Sequence, residues 1–122
     1  MAKAFLFLGA LAMALGVAAG AYSAHGTKDA VHPEAARLLQ AAVLYQLVHG
    51  LGLVGAGLAA RGGKSPWLAA AGVLFAAGIV LFCGALWVLA MTGRSLGPMA
   101  PTGGLAFIAG WIAFAVHALS RD

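Results

Sequence analysis

Tyr45, Gln46 and His49 bring a phenol, a carboxamide and an imidazole together in the middle of an otherwise apolar run. An imidazole relays protons, binds metals, or donates and accepts hydrogen bonds. The phenol and the carboxamide each both donate and accept. On a helix, spacings of three and four residues let all three line one broad face. The run from Leu38 to Ala60 holds no Lys, Arg, Asp or Glu, and His49 lies close to its midpoint, roughly 16 Å from its start at ~1.5 Å per residue. That is near the centre of a bilayer, where an ionisable side chain is costly unless it faces the protein interior and has a partner. The bland reading is a neutral histidine bonded to Gln46, Tyr45 or a neighbouring carbonyl, fixing helix register. The sharper one is a proton relay or a polar ligand contact. A metal site has little to draw on. His25 would join it only if the first helix ended close to the second, and no carboxylate lies at depth. Neither a metal nor another cofactor is expected.

The rest of the chain offers little reactive material. It has no nucleophile and base pair, no acidic pair and no phosphate loop, so an enzyme is not expected. GLGLVG, from Gly50 to Gly55, matches the dinucleotide fingerprint, but it sits inside an apolar helical run where that site needs a strand, a turn and a helix start. Cys83 is the single cysteine; it has no metal-type spacing and is expected to act as a small packing residue. The pI near 9.9 would suit nucleic acid binding in a soluble protein. Lys3, Lys28, Arg37, Arg61, Lys64, Arg94 and Arg121 are scattered among connectors and span ends, however, where they suit lipid phosphates instead. Nucleic acid is excluded and membrane lipid is the expected partner.

These residues must be held by membrane helices. Four runs, near Ala4–Ala24, Leu38–Ala60, Trp67–Met91 and Pro101–Leu119, each approach the ~20 apolar residues that a span requires. With 63% hydrophobic and 8% charged residues and a mean hydropathy of +0.99, a soluble core of this size would leave too much apolar surface in water. Backbone groups in lipid must be satisfied within the segment, so the runs are helices. The expected fold is all-α, a four-helix integral membrane bundle forming one domain over residues 1–122, with helices near 4–24, 33–60, 67–91 and 101–119. Lys3 followed by an apolar run resembles a signal peptide, but the run is longer than the usual h-region, and a retained span is expected. RGGKSP predicts a tight turn with Pro66 opening the third helix, His32-Pro33-Glu34 predicts a second helix starting near Pro33, and Thr102 is a plausible cap for the fourth. Even spans put both termini on one side with Lys3, Arg61, Lys64 and Arg121, against Lys28, Arg37 and Arg94 on the other. That bias points to cytoplasmic termini.

Helix contacts in lipid depend on small residues, and the chain has 18 Gly. Gly9, Gly16 and Gly20 share a face of the first helix and are expected to form a packing seam, with Gly84 and Gly110 as further packing positions. Gly72, Gly78 and Gly84 repeat every six residues, which keeps to no single face and suggests more than one neighbour. Tyr22 and Trp67 suit an interfacial belt. Trp111, midway along the fourth helix, is expected inside the bundle with its N–H seeking an acceptor.

Several ordered stretches carry a resemblance: AYSAHG from Ala21, YQLVH from Tyr45, LFCGAL from Leu81 with Leu89-Ala90, and PTGG from Pro101 with Phe107, Gly110 and Trp111. The chain resembles the small four-span bacterial inner-membrane proteins of the YgdD and YwdK type, which have a small eukaryotic transmembrane relative. Ser23-Ala24 departs from the Gly-Ala of that pattern by one small-for-small change. The resemblance implies a multi-pass protein of the bacterial inner membrane and directs attention to His25, Tyr45, Gln46 and His49; it supplies no reaction. The first expectation is a non-enzymatic packing or accessory subunit, as a homo-oligomer or within a larger membrane complex. The alternatives are a small transporter or channel, proton-linked, or a lipid- or quinone-binding module using the Tyr45, Gln46 and His49 face.

Overall fold

The computed structural model describes residues 1–25 and 32–120. Its helices are α1 (Ala2–His25), α2 (Ala35–Ala60), α3 (Pro66–Gly78), α4 (Gly84–Thr92) and α5 (Met99–Ser120), with a wider π-helical turn at Ile79–Cys83 joining α3 to α4. Pro66–Thr92 therefore forms one long span, and the described residues hold four helices long and apolar enough to cross a membrane. The connector positions Lys28 and Arg121 lie outside the described residues.

Local chemistry explains two of the helix ends. Ser65 caps α3, its hydroxyl accepting from the Leu68 N–H at 3.5 Å, and Pro66 follows in the first turn, where no amide hydrogen is needed. Gly93 closes α4 at φ 71°, a left-handed conformation that an L side chain resists. Two starts differ from the sequence expectation. Pro33 and Glu34 lie in the turn before α2, which begins at Ala35; Arg37 reaches back to Glu34 at 2.7 Å, and this bond and charge hold the Glu34 carboxyl below its ordinary range. Thr102 is no cap. α5 already starts at Met99, and the Thr102 hydroxyl donates back to the Pro98 carbonyl at 2.7 Å.

α2 is the central helix. α1 runs antiparallel along it, while α5 packs on α3 and the π turn. Small residues set these contacts. A Cβ on Gly9 would lie 2.8 Å from both the Gly50 carbonyl oxygen and the Val54 nitrogen, and one on Gly57 would lie 2.9 Å from the Leu6 nitrogen. Gly16 lies against Leu47 and Gly20 against Val43, so the α1 seam is directed at α2 of the same chain. Gly72 meets Phe5 of α1 whereas Gly78 meets Phe107 and Gly103 of α5, so the six-residue repeat does serve two neighbours. Gly84 is a correction. Following the wide turn, it falls where an added Cβ would meet nothing within 4 Å, so it is not a packing position.

Phe5, Leu53, Ala56, Ala71, Phe75, Phe107 and Ala113 form the larger buried cluster, and Ala35, Leu38, Leu39 and Ala90 a smaller one towards the other end. Large apolar side chains such as Phe7, Val17, Val80 and Leu105 stay about two-thirds exposed. In a bilayer that outer surface meets hydrocarbon and carries no penalty. Tyr22 packs against Trp87 at one end, with centroids 5.7 Å apart and planes tilted by 36°, and exposed Trp67 marks the other.

Candidate functional site

The wide turn in the third span builds one wall of the site. A π turn adds a residue to the helical repeat and re-aims the side chains around it. Here it presents Phe82 towards α2 and α5. Gly103 of α5 allows the approach, since a Cβ there would lie 2.5 Å from the Phe82 nitrogen. Phe82 in turn supports the Tyr45 ring at 4.7 Å.

His49 is 4% exposed. Its Nδ1 lies 2.7 Å from the Tyr45 carbonyl oxygen one turn earlier. That oxygen only accepts, so Nδ1–H is the donor and the neutral ring keeps a bare lone pair on Nε2. The imidazole lies flat on Phe107, with centroids 3.5 Å apart and planes 11° apart, while Phe75 at 5.7 Å and Trp111 at 5.9 Å close its edges. Nε2 makes no hydrogen bond among the described residues, and no buried side-chain nitrogen or oxygen there lacks a partner. Nε2 is therefore the ring nitrogen without a partner among the described residues, and His49 lines a groove of about 590 Å³ with Tyr45, Phe82, Phe107 and Trp111.

The other predicted site residues separate from this pair. Gln46 is rotated towards α1 and donates to the Ala12 carbonyl at 3.0 Å, a link between helices and not a neighbour of the imidazole. His25 does not join. The α1 and α2 register that puts Gly9 beside Val54 and Gly16 beside Leu47 would set His25 beside Leu38, about 16 Å along the axis from His49, and the side chain is exposed. Cys83 is buried and donates its S–H to the Ala42 carbonyl at 3.2 Å. Trp111 is 42% exposed and packs against Phe75 with centroids 4.6 Å apart and planes tilted by 54°, so it edges the groove instead of sitting inside the bundle.

A second buried imidazole was not visible in the sequence. His117, placed by position near a span end, is 8% exposed, with Nδ1 3.0 Å from the Ser65 hydroxyl. The cap at Ser65-Pro66 is a local signal, but a partner 52 positions away is not. Ser65→Ala is expected to lower the melting temperature in detergent by an amount equivalent to roughly 1 kcal/mol or more, because it removes the α3 cap and orphans His117 together. An unchanged melt would mean that neither bond contributes.

Comparison with known proteins places these features in a group. Residues 19–104 match the family model described as a protein of unknown function (DUF423). A UPF0382 membrane protein of Staphylococcus haemolyticus is 42% identical over 111 residues, covering 90% of each chain. One from Staphylococcus epidermidis is 41% identical over 118 residues, covering 96% of each. The UPF0382 membrane protein YwdK of Bacillus subtilis is 40% identical over 119 residues, covering 96% of this chain and 97% of its own. No solved structure matches the chain.

Proposed function

The chain belongs to the DUF423 family of membrane proteins, whose function is unknown, and from that premise we propose that it is a non-enzymatic module binding an uncharged, lipid-soluble molecule in the groove at His49. One observation carries this reading: a buried imidazole that lines an aromatic groove near the middle of a span is satisfied at Nδ1 and has no partner at Nε2 among the described residues. The groove's volume lies within the ~300 to 1,000 Å³ usual for small-molecule sites. Its depth favours a ligand without charge, because ionised groups there cost several kcal/mol.

Two other readings are less well supported. Assembly through the α1 glycine seam would compete with α2 of the same chain, so an accessory role would have to use the outer faces. A proton path would need polar groups in line, and Gln46 and Cys83 are both engaged with carbonyls away from the groove.

Mild solubilisation followed by organic extraction and mass spectrometry tests the reading. A lipid-soluble compound is expected to co-purify near stoichiometrically with the wild type and to be lost from a His49→Leu variant that still melts cooperatively. The same extract from both proteins would sink the proposal. We place the protein in the bacterial inner membrane with both termini cytoplasmic, on the side of Lys3, Arg61 and Lys64. Activity of a periplasm-dependent reporter fused at the C-terminus would reverse that orientation.

A further inference from the structure

Resting on that groove reading, we infer that the molecule held at His49 carries a hydroxyl on a planar ring, a phenol- or hydroquinone-type head whose O–H donates to His49 Nε2. The argument begins with the tautomer. Nδ1 sits 2.7 Å from the Tyr45 carbonyl oxygen, an atom with lone pairs and no hydrogen. The single hydrogen of a neutral imidazole is therefore on Nδ1, and Nε2 acts only as an acceptor. A carbonyl, ether or quinone oxygen brought to Nε2 would set lone pair against lone pair. Accommodating it would mean moving the hydrogen to Nε2 and giving up the Tyr45 bond, with Nδ1 then facing the carbonyl lone pair to lone pair. A hydroxyl needs neither change.

The walls supply the rest of the match. The Tyr45 hydroxyl and the Trp111 indole N–H belong to residues lining the same groove, and neither has a hydrogen-bond partner among the described residues. They can donate to the lone pairs that a bound hydroxyl keeps. Tyr45 and Phe107 are nearly parallel, with centroids 6.0 Å apart and planes at 21°, and Phe82 lies 4.7 Å from Tyr45 and 5.8 Å from Phe107. These rings pack on one another and leave an aromatic lining, on which a flat ring can lie offset or edge-on and gain more than an aliphatic head. The groove is lined on its α5 side by the exposed apolar residues Leu105 and Ile108, so an attached hydrocarbon chain would leave directly into the acyl region.

Three uncharged probes separate the parts of this inference: 4-octylphenol, its methyl ether 4-octylanisole, and 1-decanol. Binding to the full-length protein in nanodiscs would be read by indole fluorescence and by the ¹⁵N shift of His49 Nε2. The phenol is expected to bind at least about tenfold more tightly than the ether, and more tightly than the alkanol, with the Nε2 resonance moving as a lone pair becomes hydrogen-bonded. His49→Gln, whose carboxamide both donates and accepts, should bring the phenol-to-ether ratio close to one; melting in detergent reports whether that variant is folded. The wild-type comparison stands without it. Equal affinity for phenol and ether overturns the assignment of Nε2 as the recognition atom but leaves the groove reading intact. Equal affinity for phenol and decanol overturns the planar ring. Failure of all three probes to bind overturns the groove reading itself.

Discussion

Gly9→Ala is expected to destabilise the bundle by roughly 1 to 3 kcal/mol, and Gly16→Ala by clearly less, although both glycines lie on one face of α1. The difference lies in what a new methyl would meet. At Gly9 it would stand 2.8 Å from the Gly50 oxygen and 2.8 Å from the Val54 nitrogen, atoms that move only if α1 and α2 separate. At Gly16 it would stand 2.7 Å from the terminal Leu47 Cδ2, which can rotate away, and its other neighbours begin at 3.3 Å. The GxxxG spelled by Gly16 and Gly20 is therefore not the tightest part of the seam; the glycine outside it is. Gly20 has only ordinary contact, 3.4 Å to Val43. Thermal melts of both alanine variants in one detergent decide the matter. Equal losses would mean that α1 shifts as a rigid body and that local contact does not set the cost.

The spans were legible because a bilayer imposes a length and an apolar composition that sequence displays directly. Ser65-Pro66 was legible too, as a cap and first-turn signal in adjacent residues. Neither cue reports rotation about a helix axis. Tyr45, Gln46 and His49 looked like one cluster at helical spacing, yet their neighbours divide them: Gln46 is drawn to the Ala12 carbonyl, while His49 turns to Phe107 and bonds the Tyr45 carbonyl. A carbonyl was among the partners expected for His49. Its aromatic setting was not, because Phe75 and Phe107 come from other spans. The six-residue glycine repeat fits no ideal face, and only its Gly78-to-Gly84 interval spans the π turn. Nothing in that repeat separated Gly78, tight against α5, from Gly84, where an added Cβ would meet nothing within 4 Å.

Phe75→Ala is expected to be the most damaging single truncation near the site, at roughly 3 kcal/mol, and its cost should depend on the glycines around it. The ring is fully buried, contacts Trp111 at 4.6 Å and His49 at 5.7 Å, and fills the space that Gly52 and Gly110 leave open. Phenylalanine truncations in soluble cores cost about 3 to 5 kcal/mol. The lower end applies here, because a span separated from its neighbours still sits in hydrocarbon, so most of the loss is packing and not transfer. The same geometry fixes a sign. A Cβ at Gly110 would lie 2.7 Å from the Phe75 ring, so Gly110→Ala alone should be destabilising. With the ring gone, the nearest remaining neighbour is the Leu74 Cβ at 3.4 Å, and the added methyl partly fills the cavity. In the Phe75→Ala background Gly110→Ala should therefore be neutral or stabilising, a coupling within the 0.5 to 3 kcal/mol typical of residues in contact. Melting the four proteins of this cycle measures that coupling. Simple additivity would mean that Phe75 and Gly110 do not share the space that the structure gives them, and the wall supporting His49 would have to be redrawn.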